Sequence, residues 1–492
     1  MMMSLLVTLM FFLAGYGLLA YRSQLAVPWH LTLSFPVGLA AYGLLAWPFF
    51  LFTLPISILD ASLIILSLIG LWYGCRQLYQ RQAPSNFSAL LKVGLSVQWQ
   101  SAQSWPWLSV IWVAVGFSVL LLVGWMLISL PVSWDSLALY DYRAHLLASG
   151  HSLAWFWQWM GVPELVHYDF LHPWFPSFIY ALIYRGQGTQ PWLLHAALLL
   201  STLGTVWLSW RSNIVRWLSL LLLVGSRFFV ETATLGYAVL IVWCYWVLLF
   251  SLFSLPKLHW KLAAWLTAIF VSVILQSRAI EPFWVVFVGW WLIGEGWRHR
   301  SEWQNWIKLM ILPTTVIGWN WASWRWLMEQ YSREYSHLTA VDMTSAITQM
   351  LNARGWLSAV PQSIGALIRY NPSLPLLVIL VLVAAGTYSA GKHHLHHKLW
   401  WVAGWLVSYA ALGGGVVWYA LHVEPRYWSE FVTALPRSAV YQLIFTIWLI
   451  GTLLDDYFLA KANRLPPNSK YLVRTSRKPV RSKRVRNSSA LK

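Results

Sequence analysis

PVSWDSLALYDYRAHLLASGHSLAWF opens at Pro131 and VHYDFLHPWFPSFIYALIY closes at Tyr184, and the stretch they bound decides how the chain is read. It holds four acids (Asp135, Asp141, Glu164, Asp169) and four histidines in a sequence otherwise dominated by apolar runs. That is too polar to cross a bilayer and too aromatic for an ordinary solvated loop. Asp135 follows a long apolar run, which places a carboxylate at a membrane–water boundary. The next ten residues read as a short amphipathic helix. Leu139, Tyr142 and Leu146 share one face, while Asp141 and His145 stand an i,i+4 step apart on another. Ser149-Gly150 supplies the stop. His172-Pro173-Trp174-Phe175-Pro176 then starts a short apolar helix, with proline suited to its first turn.

Working outward, the composition is that of a polytopic membrane protein: 492 residues, 59% hydrophobic, only 10% charged, mean hydropathy +0.57. The two cysteines, Cys75 and Cys244, fall inside apolar runs and suggest neither a disulfide framework nor a thiolate metal site. The first residues lack a basic region and a small-residue cleavage site, so a retained helix is expected. Most of the 38 tryptophans suit interfacial belts at helix ends. Of the net charge of +18, residues 461–492 supply eleven Lys or Arg and no acid. Such a tail reads as a disordered cytoplasmic anchor drawn to anionic lipid. With one tyrosine and no basic–aromatic alternation it does not read as a nucleic-acid surface.

Apolar runs of about 20 residues mark candidate spans. They fall near 4–21, 30–52, 55–75 and 107–130, then 190–210, 213–227, 235–256, 260–277, 282–297, 304–324, 373–391, 398–421 and 436–458. Putting the tail inside makes every inner loop basic, as the positive-inside rule requires. The short helix at 173–184 has about a dozen apolar residues, too few to span, and is expected to be re-entrant or interfacial on the outer side. The chain is therefore expected to be an all-α, polytopic integral membrane protein of about thirteen transmembrane helices, with an outer amphipathic or re-entrant helical loop. Most acids then lie on the outer side or at outer helix ends. A transporter is expected instead to set acids near mid-bilayer on broken helices in repeated halves, and no internal repeat is visible.

The order of these elements resembles the first outer loop of the C-type glycosyltransferase superfamily of polytopic membrane enzymes. That group includes protein O-mannosyltransferases, aminoarabinose transferases and bacterial envelope sugar transferases. The resemblance rests on Asp135 just after a span, Arg143 and Gly150 on the following helix, and the His-Pro-x-x-Pro start at His172. Two later stretches fit. Ser277-Arg278-Ala-Ile-Glu281-Pro282 is similar to the superfamily's basic and acidic pair before a proline, and His422-Val-Glu424-Pro425-Arg426-Tyr427 to its late Arg-Tyr element. There are departures. The usual acidic pair is Asp135-Ser136 here, Gly236-Tyr-Ala-Val239 lacks a nearby following acid, three extra spans precede the family-like core, and no large soluble domain follows it.

The resemblance implies a polyprenyl-phosphate-linked sugar donor, an acceptor hydroxyl on a glycan, lipid or protein, and inversion at the anomeric carbon. By the same resemblance Asp135 is the catalytic carboxylate. Glycosyl transfer passes through an oxocarbenium-like state, a carboxylate within reach of the acceptor can take its proton, and guanidinium groups suit the leaving phosphate. Arg278 and Arg426 are the phosphate-side candidates, with Arg143 or His172 as alternates and Glu281 and Tyr427 beside them. Each has a structural alternative: Asp135 as an interfacial N-cap, Arg278 and Glu281 as a helical ion pair, Arg426 as a snorkelling side chain. No cofactor is expected. A divalent cation could bridge the phosphate, but no ligand set names one, and Lys392-His-His-Leu-His-His397-Lys398 reads as a positive-inside loop.

The chain thus divides into 1–106, extra N-terminal helices with a basic inner loop; 107–460, a transferase-like membrane core with outer loops 131–189 and 325–372; and 461–492, the basic tail. Two other functions use similar parts: an envelope-polysaccharide polymerase or ligase, and a flippase for a lipid-linked glycan.

Overall fold

A chain this apolar must satisfy its backbone polar groups locally, and every regular element among the described residues is a helix. The computed structural model describes residues 2–20, 27–80, 140–151, 174–188, 192–226, 238–253, 260–277, 303–331, 353–371, 373–390, 395–422 and 440–464, with a few isolated positions between them. The helices are α1 (Met2–Ala20), α2 (Val27–Leu51), α3 (Ile56–Gln80), α4 (Tyr142–Ala148), α5 (Phe175–Arg185), α6 (Trp192–Ser209) and α7 (Asn213–Val224). They continue with α8 (Ala238–Phe253), α9 (Trp260–Ser277), α10 (Trp303–Tyr331), α11 (Ala353–Tyr370), α12 (Leu374–Ala390), α13 (Leu395–His422) and α14 (Val440–Arg464).

Among the described residues, four stretches are long and apolar enough to cross a membrane: α1, α2, Ile56–Arg76 of α3, and α6. The outward face of α3 is apolar, with Ile58, Ile64, Ile65, Leu68 and Trp72 all exposed, as a lipid-facing surface requires. Helices also occupy the expected positions in the second half, α10, α12, α13 and α14. The expected spans at 107–130 and 282–297 lie almost wholly outside the described residues. Three expected spans, at 213–227, 235–256 and 260–277, hold shorter apolar helices among the described residues, and the first is the shortest. The span expected at 213–227 is a 12-residue helix that closes at Gly225, whose N–H donates to the Leu221 carbonyl. At about 18 Å it is shorter than the roughly 30 Å hydrocarbon layer.

The first three helices pack backbone to backbone. A Cβ on Gly15 would lie 1.8 Å from the Ser34 carbonyl oxygen, and one on Gly38 would lie 1.9 Å from that of Phe11. Gly70 meets the Leu13 carbonyl in the same way, at 1.8 Å. Small residues that admit such approach are the usual means of helix association where lipid removes the hydrophobic drive.

Contacts among the helices define two ends of the bundle. At one, Met3 of α1 lies under Gly186 and Gly188, and Phe50 of α2 packs on Trp174 at 4.6 Å. Asp60 of α3 pairs with Arg185, and Trp192 of α6 packs on Tyr180. Trp47, near the same end of α2, donates to Ser323 of α10 at 2.9 Å, and Asn320 one turn before it accepts from Gln276 of α9. At the other end, Asp455 of α14 accepts the backbone N–H groups of Arg211 and Ser212 in the α6–α7 turn. Trp401 meets Trp448, whereas Ser408 accepts from Tyr441, so α13 and α14 are antiparallel. The C-terminus of α13 therefore points to the first end.

Candidate functional site

That first end carries α4 and α5, the two described helices of the polar stretch. α5 is helical for 11 residues, with Pro176 in its first turn, and its residues from Phe175 to Ile183 are all buried. A helix buried all round is enclosed by protein, which suits a short element that does not span. Gly43 of α2 makes room for Phe175, whose ring would lie 2.2 Å from a Cβ there. Tyr180 shares a hydrogen bond with His195 of α6, and both side chains are fully buried.

α4 stops where expected. The Ser149 N–H and hydroxyl both reach the His145 carbonyl, at 3.0 and 2.9 Å, and Gly150 takes φ +83°, a conformation suited to glycine. Its buried face differs from the expected one. Arg143, Ala144 and Leu147 are buried, whereas Tyr142 is 54% exposed. The cause is Trp174, immediately before α5: the Arg143 guanidinium lies over its ring, 4.2 Å from the centroid. Turning α4 to bury Arg143 carries Tyr142 outward.

Asp141 and His145 do share a face, with His145 Nε2 3.9 Å from the carboxylate. Tyr184 of α5 donates to Asp141 Oδ1, and the His145 ring stacks on the Tyr184 ring at 3.8 Å. Burial pushes the Asp141 carboxyl above its ordinary range, against the Tyr184 hydrogen bond and His145, which pull it down. Burial and the adjacent carboxylate push the Tyr184 phenol well up, so it remains a donor.

Beside Tyr184, Arg185 reaches the other way. Its Nε and Nη2 donate to the two Asp60 oxygens, both at 2.8 Å, and Nη2 also donates to the Tyr42 hydroxyl at 2.7 Å. Tyr42 donates to Asp60 Oδ1 at 2.7 Å, closing a triangle between α2, α3 and α5. In the sequence Asp60 lies within the expected span at 55–75, with nothing nearby to mark a partner. The available signal was its isolation, for it is the sole acid before Asp135.

Of the residues singled out from sequence, Arg143 is described. Asp135, His172, Arg278, Glu281, Arg426 and Tyr427 lie outside the described residues. The helices next to them in sequence do share one end of the bundle: α4 follows Asp135, α5 follows His172, α9 ends at Ser277 before Arg278, and α13 ends at His422 before Arg426. Among the described residues, no group of three or more His, Cys, Asp or Glu side chains could hold a metal ion. Compared with known proteins, the chain matches no family model, no curated protein and no solved structure.

The raised Asp141 pKa gives a pH dependence with a definite sign. A native value above the unfolded one contributes stability in full below the ordinary carboxylate value, and that contribution declines as pH rises through the native value. From about pH 4 upward, wild type is expected to lose stability relative to Asp141→Asn, which still accepts from Tyr184 but does not titrate. Thermal unfolding in detergent measures this. Parallel curves for the two proteins would mean that burial does not raise the pKa of this carboxyl.

Proposed function

We propose that the chain is an inverting membrane glycosyltransferase that moves a sugar from a polyprenyl-phosphate donor to an acceptor hydroxyl at the outer face of a cytoplasmic membrane. The observation that carries this reading is the common end of the bundle. The helices adjoining all four sequence elements, at Asp135, His172, Arg278 and Arg426, meet or point to the end where α5 is enclosed. Chemistry on a lipid-linked donor needs polar groups gathered at one membrane boundary, which helix ends grouped in this way would allow, and the apolar helices beneath would supply the surface for the prenyl chain.

In this mechanism Asp135 takes the proton of the acceptor hydroxyl as its oxygen attacks the anomeric carbon. The bond from that carbon to the phosphate oxygen breaks on the opposite face, giving inversion, and the electron pair leaves with the polyprenyl phosphate. Arg278 and Arg426 stabilise the charge growing on that phosphate. Arg143, closed to solvent against Trp174, braces the loop.

The test is turnover without a compartment. Purified full-length protein in detergent, given a polyprenyl-phosphate sugar and a hydroxyl acceptor, is expected to release polyprenyl phosphate. Movement of an unaltered lipid-linked glycan, seen only in sealed vesicles, would replace this reading with a flippase. Growth of a repeating glycan would replace it with a polymerase.

A further inference from the structure

Tyr184 and Arg185 are consecutive on the last turn of α5, yet they engage carboxylates on two different helices. Tyr184 binds Asp141 on α4, and Arg185 binds Asp60 on α3 together with Tyr42 on α2. We infer that Asp60 and Arg185 are a positioning pair that sets, through α5, the place of α4, the helix that follows Asp135 in the sequence. The inference rests on the glycosyl-transfer reading, and it makes the three N-terminal helices part of the working enzyme.

The geometry gives the pair leverage. α4 is fixed to α5 at two points, Arg143 over Trp174 at the start of α5 and Asp141 on Tyr184 at its end. α5 is in turn held by a two-pronged ion pair, whose partners are only 20% and 22% exposed. The ground beneath is stiff, because α1, α2 and α3 meet at backbone distance through Gly15, Gly38 and Gly70. A shift of α5 therefore carries α4 with it, and Asp135 is six residues upstream of Asp141. A misplacement of about 1 Å in a catalytic group can cost roughly 100-fold in rate. A purely structural ion pair would lower yield and stability but leave the correctly folded fraction fully active.

Asp60→Asn keeps the side chain's shape and removes its charge. In detergent-purified full-length protein it is expected to lower kcat at least tenfold, with the KM for the polyprenyl-phosphate sugar changed less than about twofold. Asp60→Glu, which restores the charge, is expected to recover most of that loss. A second readout does not depend on activity. Leu147 on α4 is 1% exposed, so in a Cys75→Ser, Cys244→Ala background Leu147→Cys should resist a thiol reagent. Adding Asp60→Asn should speed its modification at least tenfold. Wild-type kcat with undiminished protection in Asp60→Asn overturns the inference. So does a loss confined to yield, with the purified fraction at wild-type kcat. If wild type turns over no polyprenyl-phosphate sugar, the glycosyl-transfer reading fails, while the thiol readout still decides whether the pair holds α4.

Discussion

Asp135→Asn is expected to lower sugar transfer by roughly two to four orders of magnitude, the usual contribution of a positioned general base. The substitution keeps the size and hydrogen-bonding reach of the side chain and removes only its capacity to accept a proton. Donor affinity is expected to change little, because in the proposed mechanism Asp135 touches neither the phosphate nor the prenyl chain. On the proposed mechanism the arginines are expected to behave differently: Arg278→Ala or Arg426→Ala should remove charge from the phosphate side and weaken donor binding together with turnover. Folding has to be separated from chemistry, since an interfacial aspartate cap contributes about 1 kcal/mol. Turnover is therefore referred to purified, monodisperse protein. An Asp135→Asn protein that expresses normally and keeps near-wild-type turnover would sink the assignment. Asp141, whose carboxylate is engaged by Tyr184, would then be the first acid to test in its place.

The second large effect concerns Arg143, and it falls on stability. Its side chain is among the largest that are fully buried, 1% exposed, with the guanidinium over Trp174. Arg143→Ala deletes this packing and leaves a void between α4 and the start of α5. By comparison with other large buried side chains the cost is about 2–5 kcal/mol. Arg143→Lys retains the charge but replaces a flat, stacking group with a compact, strongly hydrated one. Its unfolding temperature in detergent is expected to lie between those of wild type and Arg143→Ala. The competing role for Arg143 is direct contact with the donor phosphate. Arg143→Ala would then unfold at the wild-type temperature and lose donor affinity, which would remove Arg143 from the packing of α4 on α5.

Features set by neighbouring residues were legible in the sequence. The break between the expected spans 30–52 and 55–75, the shortness of α5 and the Ser149-Gly150 stop all follow from runs, prolines and glycines within a few positions. The Asp141–His145 pair is of the same kind, an i,i+4 step on one helix. Features set by distant partners were not. Periodicity gave α4 an apolar face through Tyr142, but Trp174, some thirty residues on, offers a ring that draws Arg143 inward instead. Asp60 and Arg185 are separated by 125 positions, and neither position marks the other. For α7, an apolar composition suggested a span, and the helix proved too short to make one. For the proposed site, the order of motifs pointed to shared chemistry, whereas the grouping of their neighbouring helices at one end required the fold.

The glycine contacts among α1, α2 and α3 also bear on the order in which the protein is made. An interface formed by backbones at close approach freezes few side chains, so these helices lose little rotamer freedom when they associate. They are also synthesised before α4 and α5. At typical rates of about 5–20 residues per second, the roughly 100 residues between the end of α3 and the end of α5 take about 5–20 s to follow. The N-terminal trio thus has time to assemble before Arg185 leaves the ribosome. Asp60 and Tyr42 are then already in place as a receptor for it, and the enclosed helix docks onto a finished surface.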